Sequence, residues 1–209
     1  MRVAIINGSP KTGSSCSGRI IEMLSRKLGN LAEPIVARSA AAPELALKEA
    51  MEAMRGSAAL VLVTPLYVDS LPAHLIALLE SLVPLAAKTM APEARLYCLV
   101  NCGFWEPAHN ALALEQLRLF AKAASLPWGQ GLAFGGGGAA AMAPNFLLKS
   151  VDRALQGLAG KILSGSSAPD YHFRINIPRC LYRLAGNLQW RWLARRNGLP
   201  GSDLYQRPY

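Results

Sequence analysis

A chain of 209 residues, 52% of them hydrophobic, can build one good core and some additional structure. No uninterrupted apolar run reaches the roughly 18 to 20 residues that a membrane span needs, and the short run Val3–Ile6 ends in a turn, so neither a spanning helix nor a signal peptide is expected. The formal net charge is +9 and unevenly placed: from Asp170 to Tyr209 seven arginines face only Asp170 and Asp203, a balance of +5 that suits an anionic substrate, surface or partner.

Apolar runs alternate with amphipathic patterns along the first three quarters of the chain. Strands are predicted at Arg2–Asn7, Glu33–Ala37, Ala58–Thr64, Arg95–Asn101 and Gly129–Phe134. Helices are predicted near Cys16–Leu28, Glu44–Arg55, Ala73–Ala87, Asn110–Ala124 and Asn145–Leu163. The runs Ala59–Val63 and Leu96–Val100 are apolar or aromatic throughout, as expected of central strands covered on both faces. Alternating strands and helices imply right-handed βαβ units. The expected fold class is therefore α/β, a doubly wound parallel sheet of five strands with the flavodoxin-like order 2-1-3-4-5, followed by a C-terminal helical extension. The domain boundary falls in the linker Ser164–Pro169, giving a domain over 1–165 and a basic extension over 166–209.

The first strand runs directly into Gly8-Ser9-Pro10-Lys11-Thr12-Gly13-Ser14-Ser15, and a helix follows at once. Backbone N–H groups and the positive end of a helix dipole then meet at one point, which favours a phosphate. The loop carries neither Gly-x-x-x-x-Gly-Lys-Ser/Thr nor Gly-x-Gly-x-x-Gly, and an ordinary capped connection is the competing reading. In a doubly wound sheet, ligands bind beyond the carboxyl ends of the strands. Two more loops should converge there: Pro65–Pro72 after the third strand and Asn101–Glu106 after the fourth. Both carry aromatic residues and exposed amides suited to a flat heteroaromatic ring. Gly135–Gly138, after the fifth strand, reads either as a flexible loop or as a site of close approach.

Cys16, Cys98, Cys102 and Cys180 contain no Cys-x-x-Cys pair, which argues against structural zinc, an iron–sulfur cluster or a disulfide framework and favours a reducing cytoplasm. His74, His109 and His172 are equally dispersed, and no metal site is expected.

Asn7-Gly8-Ser9-Pro10 with Ser14-Ser15, Pro65-Leu66-Tyr67 through Leu71-Pro72-Ala73, and Asn101-Cys102-Gly103-Phe104 together resemble the flavodoxin-like NAD(P)H-dependent FMN reductases and related quinone reductases, over about Met1 to Gly165. The resemblance implies FMN as cofactor and NAD(P)H as co-substrate. Ser9, Lys11, Gly13, Ser14 and Ser15 would hold the phosphate. Pro65, Leu66 and Tyr67 would line one side of the isoalloxazine, with Asn101, Cys102, Gly103 and Phe104 along the other. The leading expectation is ping-pong hydride transfer to a quinone, a free flavin or another small acceptor, in a homodimer, with the cysteine pattern placing it in the cytoplasm. Tyr67 is the candidate catalytic residue, as a stacking or proton-donating group, with a packing aromatic as the alternative. Cys102 reads as a small apolar residue or a redox thiol. A flavodoxin-type electron carrier, or a non-catalytic flavin-binding protein with a membrane- or partner-binding tail, is the competing functional class. Carriers of that type are usually acidic, which the charge of +9 disfavours.

In the extension a helix is expected from near Pro178, with Leu181, Leu184, Leu188 and Trp192 as an apolar stripe and Arg179, Arg183, Arg191 and Arg195 mostly off it. Asn197-Gly198 followed by Pro200 marks its stop. The stripe can dock on the same protein or a dimer mate, or it can make peripheral contact with an anionic membrane, which suits arginine with tryptophan. A lid over the flavin edge is a further possibility. Nucleic acid is the least favoured partner, since no recognised motif accompanies the charge.

Overall fold

The computed structural model describes residues 1–141 and 143–206; Arg207, counted in the charge of the tail, lies outside the described residues. The chain divides into two compact units, Met1–Ile175 and Asn176–Tyr209.

In the first unit the elements follow in the order β1 (Arg2–Asn7), α1 (Cys16–Leu28), β2 (Glu33–Arg38), α2 (Pro43–Met54), β3 (Ala59–Pro65), α3 (Ala73–Leu82), α4 (Ala86–Thr89), β4 (Arg95–Cys102), α5 (Ala111–Ala123), β5 (Trp128–Gly135), α6 (Gly137–Ala140), α7 (Lys149–Ser164) and β6 (Tyr171–Arg174). The sheet is parallel throughout, in the order β2-β1-β3-β4-β5-β6. The expected order 2-1-3-4-5 therefore stands, extended by a sixth strand at the edge.

That strand comes from residues the sequence pattern assigns to the extension. Asp170 fixes it: its carboxylate accepts from the Gly131 N–H (2.8 Å), the Trp128 indole (3.1 Å) and Arg118 (2.8 Å), which lays the following residues along β5. Phe173 then stacks on Phe134 at 5.1 Å. With only four residues and a single buried side chain, β6 offers too short an alternation to be read from the sequence.

Helix positions follow from caps and apolar spacing. Ser15, in an extended conformation, accepts the Gly18 N–H to open α1, which buries Ile20, Ile21, Leu24 and Leu28 along one face and stops at Gly29. Helix α7 buries Val151, Leu155, Leu158 and Ile162 and ends at Gly165 in the left-handed region. Helices α1 and α7 lie together, tied by Lys27 to Asp152 at 2.7 Å. Alanines and leucines of α2, α3 and α5 pack with Ala4, Ile6, Leu60, Leu62, Leu96, Cys98 and Val100 as one core on the sheet. With both faces covered, Val3–Ile6 and Ala59–Val63 are wholly buried.

Gly135–Gly138 is not a flexible loop. Gly136 has φ 92, and a Cβ on it would stand 2.4 Å from Ile175 Cγ2; the chain turns there directly into α6.

In the second unit, α8 (Arg179–Arg196) starts immediately after Pro178 and ends before Asn197-Gly198, as expected. Among its residues only Ala194 is buried, and Leu181, Leu184, Leu188 and Trp192 are each more than half exposed. No helix among the described residues is long and apolar enough to cross a membrane.

Candidate functional site

The parallel register brings the carboxyl ends of five strands level: Asn7 pairs with Arg38 and with Val63, Pro65 with Asn101, and Cys102 with Gly135. The three loops singled out in the sequence all emerge from this edge.

The loop after β1 is shaped from below. The Asn7 side-chain carbonyl accepts the Ser9 N–H at 3.0 Å, a local turn that a short amide makes readily. The Gly8 N–H donates to Val63 O at 2.8 Å, and its carbonyl lies 3.2 Å from His74 Nε2, at the start of α3. A Cβ on Gly8 would stand 2.6 Å from Thr64 Oγ1, so this glycine serves the close packing of β1 on β3. Ser9 is buried beneath the loop, while Lys11, Thr12, Gly13 and Ser14 are exposed. Arg38 reaches over from the end of β2 and donates to Lys11 O at 3.1 Å.

Above this base the donors are open. Among the described residues, the backbone N–H groups of Thr12, Gly13, Ser14, Ser15, Cys16 and Ser17 make no hydrogen bond within the protein. They surround the N-terminus of a 13-residue helix, and no carboxylate lies between Gly8 and Ser17. Ser15 Oγ accepts from Gly18 and keeps its own proton to donate. Burial pushes the Cys16 thiol up to about 12, so it stays neutral beside an anion. Such a cradle fits a phosphate dianion.

The loop after β3 reverses over two residues. The Tyr67 N–H donates to Ser70 O (2.9 Å) and the Ser70 N–H to Tyr67 O (3.1 Å), with Val68 at φ 48 and Asp69 at φ 57. Two successive positive φ values form a mirror-image turn, and a β-branched residue in it costs on the order of 1–3 kcal/mol. Gln116 of α5 braces the turn: its Oε1 accepts the Leu71 N–H at 3.2 Å and its Nε2 donates to Ser70 Oγ at 3.0 Å. Pro65 and Leu66 are half-buried, and the Tyr67 ring is exposed.

The loop after β4 differs from expectation. Asn101 is buried, and its Nδ2 donates to Ser17 Oγ (3.0 Å) and Thr64 O (2.9 Å), tying β4 to β3 and to the head of α1. Cys102 also turns inward: its Sγ lies 3.6 Å from the carbonyls of Phe104 and Glu106 and receives Asn110 Nδ2 at 3.5 Å. Burial raises its pKa, against a reactive thiolate. Within Asn101–Glu106 only Gly103 and Phe104 are exposed, and the Phe104 ring stacks on His109 at 4.2 Å. The three segments do meet at one edge of the sheet, but the Asn101 and Cys102 side chains support the loop from within.

Several supporting residues escaped the sequence pattern. Arg19 donates to the carbonyls of Ala140 (2.7 Å) and Ala143 (2.7 Å), holding the segment after α6 against α1. Arg174 lies 4.0 Å over the Trp105 ring. Their partners are distant in sequence, so no local spacing marks them.

Compared with protein families, residues 1–124 match the model of the NADPH-dependent FMN reductases, more than half of the chain and the whole of β1 through α5. The chain belongs to the NADPH-dependent FMN reductase family. It is an oxidoreductase with FMN as cofactor and NAD(P)H as co-substrate. Among solved structures, an NADH:FMN oxidoreductase in its apo form is 19% identical, with a TM-score of 0.59 over 80% of this chain and 90% of that one. An FMN-dependent NADH-azoreductase from Bacillus anthracis, solved with FMN, is 13% identical, with a TM-score of 0.55 over 78% of this chain and 100% of that one. The Trp repressor binding protein from Bacillus subtilis is 15% identical, with a TM-score of 0.54 over 73% and 96%. At these identities the likeness is one of fold. No curated protein sequence matches significantly. For an FMN reductase, the open donors at the head of α1 and the apolar rims at Leu66–Tyr67 and Phe104 suit the phosphate and the ring of the cofactor.

Proposed function

We propose that this FMN reductase takes a hydride from NAD(P)H and passes two electrons to a quinone, a free flavin or another small acceptor in a ping-pong exchange. The observation carrying this reading is the run of unpartnered N–H groups from Thr12 to Ser17 in a loop without carboxylates. In this reading, Lys11, Gly13, Ser14 and Ser15 hold the FMN phosphate with Thr12, while Ser9 shapes the loop below. Pro65, Leu66 and Tyr67 flank one side of the ring, and Gly103 and Phe104 the other. Asn101 and Cys102 keep that second wall in place. FMN held there would supply a hydride acceptor and a two-electron donor, so that NAD(P)⁺ would leave before the acceptor binds and takes up two electrons and two protons.

The protein's part is to neutralise the phosphate with backbone dipoles, fix the loops and leave a face open to two successive reactants. Tyr67 is the candidate for stacking on a reactant or donating a proton, and Tyr67→Phe separates these by keeping the ring and removing the hydroxyl. The reading is tested by an anaerobic spectrum of the purified chain with FMN, before and after NADPH. Retained yellow colour that bleaches on addition supports it. No colour after incubation with FMN overturns it, and colour that resists both NADPH and NADH points to the electron carrier.

The reading includes a cytoplasmic homodimer, for which Leu112 and Leu119 of α5, both more than half exposed, are candidate contacts. It also gives the extension, taken over 166–209, a peripheral contact with an anionic membrane. From Tyr171 to Ser202 there are six arginines and no acid, and the stripe of α8 is open to solvent. The full chain should cosediment with phosphatidylglycerol vesicles and not with phosphatidylcholine ones, and Leu184→Glu should abolish this. Equal recovery with both lipids, or none, removes the membrane from the reading.

A further inference from the structure

Val68 is placed where a valine belongs least. At φ 48 its branched side chain crowds the backbone, and the next residue, Asp69, is also left-handed at φ 57. Asn-Gly or Asp-Gly fills such a two-residue reversal without strain. The side chain is 100% exposed, so no contact within the chain compensates for the strained backbone. Nor does the loop drift. The reciprocal bonds between Tyr67 and Ser70 close the turn, Gln116 pins Ser70 and Leu71 to α5, and the Leu66 N–H donates to Asn101 O at 2.7 Å. An isopropyl group is thus held rigidly in water at the lip formed by the carboxyl ends of β3 and β4.

We propose that Val68 is a specificity-determining contact for the electron acceptor, selecting apolar, flat molecules of the quinone class. This rests on the reading that the flavin ring lies beside Tyr67. Three features point the same way. Strain of this kind concentrates at functional sites, where a partner rewards the conformation. The group is wholly apolar, so it rewards an apolar partner and offers nothing to a polar ion. Its neighbour Tyr67 supplies a second exposed ring surface on the same turn. In the two-step exchange the acceptor arrives after NAD(P)⁺ has left, and an apolar knob at the rim favours a quinone over water and small anions.

The test compares the full-length chain with its Val68→Gly and Val68→Asn variants, each loaded with FMN. Glycine and asparagine both tolerate positive φ, so both variants should melt at a higher temperature than the parent. FMN affinity should not change. The KM for 2-methyl-1,4-naphthoquinone should rise about tenfold, as expected for losing a buried valine contact, while the rate with ferricyanide should hold. A higher melting temperature with unchanged quinone KM would overturn the proposal, as would equal losses with both acceptors. A changed oligomeric state in sedimentation would assign Val68 to a contact between copies and also overturn it. If the parent chain itself fails to bind FMN, the underlying reading falls. A parent that binds FMN and reduces both acceptors leaves the variants to decide Val68 alone.

Discussion

The loops after β1 and β4 stand at one edge of one sheet, yet they satisfy their polar groups in opposite ways. From Thr12 to Ser17 six backbone donors are left open around a helix start. From Asn101 to Asn110, by contrast, side chains turn inward: Asn101 binds Ser17 and Thr64, the Cys102 thiol sits against two carbonyls, and the Gly136 N–H donates to Phe104 O. The first loop leaves its donors free for a ligand, whereas the second is satisfied by the protein itself. A substitution in the first should therefore weaken cofactor binding with little change in folding, and one in the second should do the reverse.

The largest expected effect is at Ser14, which is exposed and makes no bond within the described protein. Ser14→Asp sets a carboxylate against the phosphate and should weaken FMN binding by about a hundredfold or more, measured by flavin fluorescence, with the apo melting temperature nearly unchanged. If FMN binds as before, the phosphate does not sit at this helix.

Asn101→Ala strands the buried Ser17 hydroxyl and the Thr64 carbonyl, and should cost about 2 kcal/mol in urea unfolding. FMN affinity should fall far less than in the Ser14 variant. A loss of FMN without a loss of stability would return Asn101 to the ring wall.

Cys102→Ala removes a buried thiol with three weak polar contacts and should destabilise by about 1 kcal/mol. Turnover should persist, and a collapse of turnover in a folded variant would make the thiol a participant.

The smallest effect at neutral pH is that of Cys16, and it emerges only in alkali. An unfolded Cys16 thiol ionises near 9.0, whereas the folded one holds its proton to about 12. The unfolded state then binds fewer protons, and stability falls as pH climbs from 9 toward 12. Cys16→Ala should flatten that decline in melting temperature.

How legible each region was follows from the range of its interactions. The first strand, Arg2–Asn7, and the helix Cys16–Leu28 coincide with the sequence expectation because apolar period, Ser15 cap and Gly29 stop are all local. The inward turn of Asn101 was hidden, since its partners Ser17 and Thr64 are 84 and 37 residues away. Likewise Asp170 organises β6 through Arg118, Trp128 and Gly131, and nothing near it in sequence foretells a strand.

The sequence by itself determined a parallel α/β sheet, its central strands, the three loops at its edge and the donor-rich turn into α1. Those features depend on periodicity and on residues adjacent along the chain. Only the tertiary structure decided that a sixth strand closes the edge, that Asn101 and Cys102 face inward, and that Val68 is held strained and bare at the lip. A side chain's direction is set by partners that folding brings from elsewhere, and backbone strain is tolerated only where bonds such as those from Gln116 restrain the turn.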